Sequence, residues 1–283
     1  MTLSNAASGP AKSSRLKPGK TTKPIVFMMA LFEGYLSYQP KTGRLLWPRS
    51  NDKNEANVMS EPLVIVFPIY QGVTQLDFTG PLQFLRRMPG AEIIVASVDG
   101  ADVESEGLHF TQLRPLPEIA RCDVLCVPGG SGCTQALQDE AFMRQIRRLG
   151  TDARYLTSVC TGSLILAAAG LLLGKRAACH WSMRDSLKLF GAIPSAARVE
   201  RDGNVISGGG VTAGIDFALA LIAELHGEDT AQTIQLYLEY APAPPFEGGT
   251  PELAPPHIYA KVQAQMAESL ARRRALVAQI AQG

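Results

Sequence analysis

A chain of 283 residues has room for one large or two ordinary domains. At 46% hydrophobic and 19% charged it has the balance of a soluble globular protein, and its longest apolar runs, 25–32 and 164–173, are too short to span a bilayer, which takes about 20 residues. The net charge of +1 divides into +6 over residues 1–57, with nine Lys/Arg against three Asp/Glu, and −5 over the remainder, so the main part of the chain has no basic footprint for nucleic acid.

Residues 1–57 open with Ser, Lys, Gly and Pro, a composition that favours disorder. The run 25–32 follows several lysines as a signal sequence would, but it lacks a small-residue cleavage site and meets Glu33 at once. "GYLSYQPKTGRLLWP" predicts a hairpin around Lys41-Thr42-Gly43. A regular pattern begins at Met59, which reads as the natural start, with 1–57 as a mis-assigned start or a dispensable extension.

From there strands and helices alternate. "PLVIVFP" (62–68) is a β-branched apolar run, a buried strand. The next helix follows through Leu76-Asp77-Phe78-Thr79-Gly80-Pro81, with Pro81 expected in its first turn. Strands are expected over 92–98 and 123–130, the second ending in a glycine loop, and a helix over 134–149. A strand over 154–159 leads to Cys160, and a helix over 161–169 ends at Gly170. A strand over 176–181 and a hairpin over 198–209, turning at Asp202-Gly203, precede helices over 212–227 and 229–240. Six prolines in 241–256 mark a connection. A last helix, 257–280, carries Ile258, Val262 and Met266 on one face, to pack on the main domain or on a dimer partner. The alternation predicts an α/β fold with a mostly parallel sheet flanked by helices on both faces, organised as 1–57, 58–246 and 247–283.

The five cysteines, 122, 126, 133, 160 and 179, form no C-x-x-C pair, and the histidines complete no zinc site, so free thiols in a reducing cytoplasm are expected. Cys133, beside the glycine loop, is the oxidation-sensitive candidate among Cys122, Cys126 and Cys133. Cys160 stands apart. In "SVCTGS" it lies on the turn between strand and helix, where a nucleophile is pushed out over the carboxyl edge of a parallel sheet. The helix N-terminus behind it presents free N–H groups and a positive dipole end, which predicts a lowered thiol pKa. Two glycine loops, "VPGGSG" (127–132) and "SGGGVTAG" (207–214), also follow strands. Backbone N–H groups at Gly129 and Gly130 are candidates to stabilise developing negative charge. Asp77 follows the first strand by a short loop; it is either a helix N-terminal charge or an acid whose pKa burial would raise. His226-Gly227-Glu228 reads as a helix C-terminus with Gly as cap.

"LDFTGPLQFL", "CVPGGSG", "TSVCTGSLILAAAGLLLGKRA", "CHW" and "GGGVTAGIDFALAL", in this order and spacing, resemble the ThiJ/PfpI superfamily. Within it they are most similar to the isonitrile hydratase family, as is "QLYLEYAPAPPF" (235–246). The resemblance runs from about Glu61 to the C-terminus. It implies a flavodoxin-like, class I glutamine amidotransferase-like sandwich and a homodimer, with neither metal nor organic cofactor. It also implies addition of water to a small-molecule isonitrile, giving the N-substituted formamide. By matching position Cys160 is the nucleophile and Asp77, where many relatives carry Glu, its acid/base partner. Thr161 stands where peptidase-like relatives carry His, which weakens peptidase, amidase and glyoxalase readings. Thr161, Gly129 and Gly130 would orient substrate or water, and His180 matches a family histidine that either supports the site or packs. AraC-type regulators share the "VCTGS…HW" text, which makes a non-enzymatic sensor, or a redox- or stress-related ThiJ/PfpI protein, the alternative. They carry a helix-turn-helix region of about 100 residues, and 37 residues follow Phe246 here, which favours the enzyme.

Overall fold

The structure, a computed structural model, describes residues 62–282 and two short strands, β1 (Ser37–Gln39) and β2 (Arg44–Leu46). The chain divides into two units, Met1–Val58 and Met59–Gly283. In the first, β1 and β2 pair antiparallel with Ser37 opposite Leu46 and Gln39 opposite Arg44. That register brackets the hairpin expected around Lys41-Thr42-Gly43. The turn itself, the expected disorder in 1–57 and the alternative start lie outside the described residues.

The second unit begins with β3 (Leu63–Pro68), α1 (Gln75–Leu85), β4 (Ala91–Ser97), the hairpin β5 (Val103–Ser105) and β6 (Leu108–Phe110), and β7 (Arg114–Pro115). It continues through β8 (Val124–Val127), α2 (Cys133–Gln138), α3 (Glu140–Asp152), β9 (Tyr155–Val159), α4 (Gly162–Ala168), β10 (Arg176–Ala178) and β11 (Ile193–Ser195). It ends with the hairpin β12 (Val199–Asp202) and β13 (Val205–Gly208), then α5 (Ala213–His226), α6 (Glu228–Tyr237) and α7 (Pro256–Ile280).

Seven strands make the central sheet in the order β12-β13-β9-β8-β3-β4-β7, all neighbours parallel except β12 with β13. β8, β9 and β13 are buried along their whole length, as a parallel sheet covered on both faces requires. The helices pack as two groups, α1 with α5 and α6, and α2 with α3 and α4, and the sheet lies between them. The chain runs outward from β3 to β4 on one side, then returns to place β8, β9 and β13 on the other. The β3/β8 junction is therefore a topological switch point, where parallel α/β sheets open a crevice at their carboxyl ends.

Several elements differ from the pattern's expectation. The helix over 134–149 is two helices, because Asp139 takes an extended conformation and its Oδ1 accepts the Phe142 N–H (3.0 Å) as the N-cap of α3. Pro81 sits inside α1 rather than in its first turn. Lacking an N–H, it cannot bond the carbonyl four residues back, which belongs to Asp77. Residues 103–115, where the pattern predicts no element, form β5, β6 and β7, with the β5–β6 turn made by Glu106 and Gly107 at positive φ. Along α7, Ile258 is exposed, Val262 and Met266 are half-buried, and Leu270 and Val277 are buried. The helix packs on its own unit, closest to its C-terminal end.

Candidate active site

Three loops at the carboxyl edge converge: the one after β3 that carries Asp77 into α1, the one after β8 with Gly129 and Gly130, and the turn after β9 with Cys160 and Thr161. The first two zip together. Thr74 N–H donates to Gly129 O (2.9 Å), Gly132 N–H donates to Gly72 O (2.9 Å), and Val73 bridges Gly130 antiparallel.

Cys160 adopts φ +59°, a conformation that non-glycine residues hold only under constraint. The constraint is visible on both sides. Its N–H donates to Gly208 O (3.1 Å), and a Cβ on Gly162 would overlap Val127 O, so α4 starts hard against the end of β8. The turn is the strand-to-helix elbow that the small residues around Cys160 imply.

Asp77 is fully buried. Its Oδ2 accepts the Gly129 N–H (3.0 Å), while Oδ1 is buried with no hydrogen-bond partner. It does not cap α1; the carboxyl turns across to the β8 loop. Burial pushes it up to about 7, against the Gly129 hydrogen bond and its interaction with the Cys160 thiol, which pull the other way. The charge of Glu106, at the tip of the β5–β6 hairpin, adds to the rise. Cys160 is 6% exposed, and burial, with the Asp77 charge next, pushes its thiol well above the ordinary range. The Thr161 N–H opposes this without overcoming it. The lowered thiol pKa expected from the helix N-terminus is therefore corrected: desolvation outweighs the dipole here. Burial therefore favours a protonated sulfur beside the Asp77 carboxyl.

Gly129 and Gly130 also differ from their expected part as open donors. The Gly129 N–H is spent on Asp77 and the Gly130 N–H on Thr161 Oγ1 (3.1 Å). They hold the acid and the threonine. A Cβ at Gly129 would overlap the Thr161 backbone nitrogen and lie 3.0 Å from Asp77 Oδ2, and Gly130 has φ +152°. Glycine is required at both.

Thr161 is buried, with its carbonyl accepting the Cys133 thiol (3.4 Å). Cys133 is itself fully buried, which removes the exposure that an oxidation-sensitive thiol needs. His180 and Trp181 lie just beyond β10, not within it. His180 Nδ1 pairs with Ser182 Oγ (2.8 Å), and among the described residues neither Cys160 nor Asp77 is its hydrogen-bond partner. Burial, and then the charge of Arg273, lower its pKa, which favours the neutral ring. Arg273 had no sequence signal. It comes from α7 and its Nη2 donates to Gly130 O (3.1 Å).

The model of the DJ-1/PfpI family matches residues 64–224, more than half of the chain. An isonitrile hydratase from Pseudomonas putida is 49% identical over 215 residues, covering 75% of this chain and 93% of that protein. The HTH-type transcriptional regulator CdhR from Pseudomonas aeruginosa is 35% identical over 140 residues, 48% of this chain and 41% of the regulator. Among solved structures, a ThiJ/PfpI family protein from Pseudomonas syringae superposes with a TM-score of 0.76 at 39% identity, covering 82% of this chain and 97% of that one.

Proposed function

The chain belongs to the DJ-1/PfpI family, and on that premise we propose that it is an isonitrile hydratase, converting R–N≡C and water into R–NH–CHO. The observation that carries the reading is the elbow thiol of Cys160 set against Asp77, a carboxyl held near neutrality by burial. The likeness to the Pseudomonas putida enzyme supports it.

An isonitrile carbon must gain both a nucleophile and a proton, and the pair supplies both from one proton. Asp77 takes the proton from the Cys160 thiol as sulfur approaches the terminal carbon. It then delivers that proton to the same carbon, giving the thioimidate R–N=CH–S–Cys160. Asp77, again a carboxylate, takes a proton from water. The water oxygen adds to the carbon and Asp77 passes that proton to the nitrogen; Asp77 then takes the remaining hydroxyl proton as the C=O bond forms and the C–S bond breaks, and returns it to the sulfur, so the formamide leaves with the thiol restored. Thr161 Oγ1, fixed by Gly130, orients the substrate or the water. The near-complete burial of Cys160 and Asp77 suits a slim, linear isocyano tip and keeps stray water from the thioimidate.

Cyclohexyl isocyanide with purified protein, followed as formamide production, tests the reading. Turnover is expected in the wild type and none in Cys160→Ala. Below pH 7 the pair holds a second proton on Asp77, so kcat/KM is expected to rise with pH up to about 7 and then level off. Absence of formamide from the wild type would move the reading to a non-enzymatic sensor domain, like the part of the transcriptional regulator that the chain matches.

A further inference from the structure

Arg273 lies on the inward face of α7, one turn from each of the buried residues Leu270 and Val277. Among the described residues no carboxylate pairs with it, and its Nε is buried without a hydrogen-bond partner. Holding a guanidinium donor out of water without a partner is costly, so the bond it does make needs a reason. That bond goes to Gly130 O.

Gly130 O has three suitors: Arg273 Nη2 at 3.1 Å, the Cys133 N–H at 3.2 Å, and the Thr161 hydroxyl at 3.4 Å. A carbonyl oxygen has two lone pairs. Three donors compete for them, and the Thr161 hydroxyl, at the longest distance, makes the weakest of the three bonds. Thr161 Oγ1 meanwhile accepts the Gly130 N–H (3.1 Å), which fixes where its oxygen sits. We propose that Arg273 is a positioning residue of the active site: by taking the Gly130 carbonyl, it leaves the Thr161 hydroxyl proton free for the reacting group. Without the guanidinium, the hydroxyl turns back onto Gly130 O and its proton is lost to the substrate. The C-terminal helix is thereby part of the active site. This deepens the hydratase reading and rests on it for its kinetic consequence.

The test is a double-mutant cycle on cyclohexyl isocyanide hydration with Arg273→Met, Arg273→Lys, Thr161→Val and the Arg273→Met/Thr161→Val pair. Arg273→Met is expected to lower kcat about tenfold with KM changed less than about twofold, and Arg273→Lys to recover most of the loss. The pair is expected to be no slower than Thr161→Val alone, because Arg273 acts through that hydroxyl. Wild-type kcat in Arg273→Met, or losses that multiply in the pair, would overturn the proposal and leave the hydratase reading intact. If the wild type hydrates no isonitrile, that reading falls by itself, and exchange of the Gly130 amide decides for Arg273. Faster exchange in Arg273→Met, restored in Arg273→Lys, upholds its hold on the loop after β8; equal rates sink it.

Discussion

The loops 127–132 and 207–214 both leave a strand of the central sheet and both lead toward a helix, β8 toward α2 and β13 into α5. Both are rich in glycine. In the first, every glycine is sterically forced. A Cβ would overlap Thr161 N at Gly129, Gly72 O at Gly130 and Gln71 O at Gly132. In the second, Gly208 and Gly214 are tight, their added Cβ 3.3 Å from Ala213 O and 3.1 Å from Pro81 Cδ, but neither presses on a reacting group, and Gly209 and Gly210 have room. A Cβ on Gly209 would stand 3.6 Å from Ala197 O, and one on Gly210 would stand 3.6 Å from His180 Cδ2, both ordinary contacts. The first loop carries N–H groups that hold Asp77 and Thr161. The second contributes a carbonyl, Gly208 O, that accepts the Cys160 N–H. Glycine at a strand end marks a site only where the backbone is pressed against the reacting groups.

The strongest challenge to this contrast is Gly129→Ala. The added methyl must displace the Thr161 backbone or the loop, and either shift moves the Asp77 carboxyl from its donor. Formamide production is expected to fall by about a thousandfold or more, with a loss of roughly 2–4 kcal/mol in denaturant stability, in the range of steric strain in a packed core. A variant within about tenfold of wild type would remove the distinction between the loops.

How far the residue pattern reaches follows the same line. Cys160 is legible because an apolar β-branched run, a cysteine flanked by small residues and a following helix form a local signature. Asp77 is legible because the first parallel strand must end beside it. The spent N–H groups of Gly129 and Gly130 are not, since their partners lie 52 and 31 residues away and only the fold brings them together. Arg273 is further still, 143 residues from Gly130, on a helix whose charges look like a solvated face. The break at Asp139 hid for a different reason: the periodicity runs across it, and the capping bond to Phe142 decides. The thiol's raised pKa reverses the local reading because burial, a property of the whole fold, outweighs a helix dipole confined to the first turn.

Asp77→Asn sharpens the contrast from the side of the group the first loop holds. The amide oxygen keeps the Gly129 bond, so the comparison isolates the charge. The folded carboxyl is held near 7, above its unfolded value of about 3.9, so the native state keeps its proton longer than the unfolded chain does. Stability contributed by Asp77 is full below pH 4 and declines as pH rises through 7. Asparagine does not titrate. The variant is expected to gain on the wild type across that window, by up to about 4 kcal/mol at pH 8 relative to pH 4, in urea titrations at both values. It is also expected to lose hydration at every pH. A variant that gains nothing on the wild type, or loses ground to it, as pH rises from 4 to 8 would mean that Asp77 is already charged in the native state near pH 5, and the proton economy proposed for the pair would fail with it.

The smallest expected effect tests the other loop. Gly210 has no positive φ, and its carbonyl faces the start of α5, where Ala213 N–H donates to Gly210 O (2.7 Å). Alanine fits that backbone, and its methyl meets only the edge of the His180 ring. Replacing glycine also narrows the unfolded ensemble, worth about 0.4–1 kcal/mol where the native conformation accepts a side chain. Gly210→Ala is therefore expected to be neutral or slightly stabilising, with kcat/KM within about twofold of wild type. A large loss of activity at preserved stability would be informative, because among the described residues the one side chain the new methyl reaches is His180. That result would raise His180 from a packing group to a participant, and it would place the second loop in the site through the histidine it touches rather than through its own backbone.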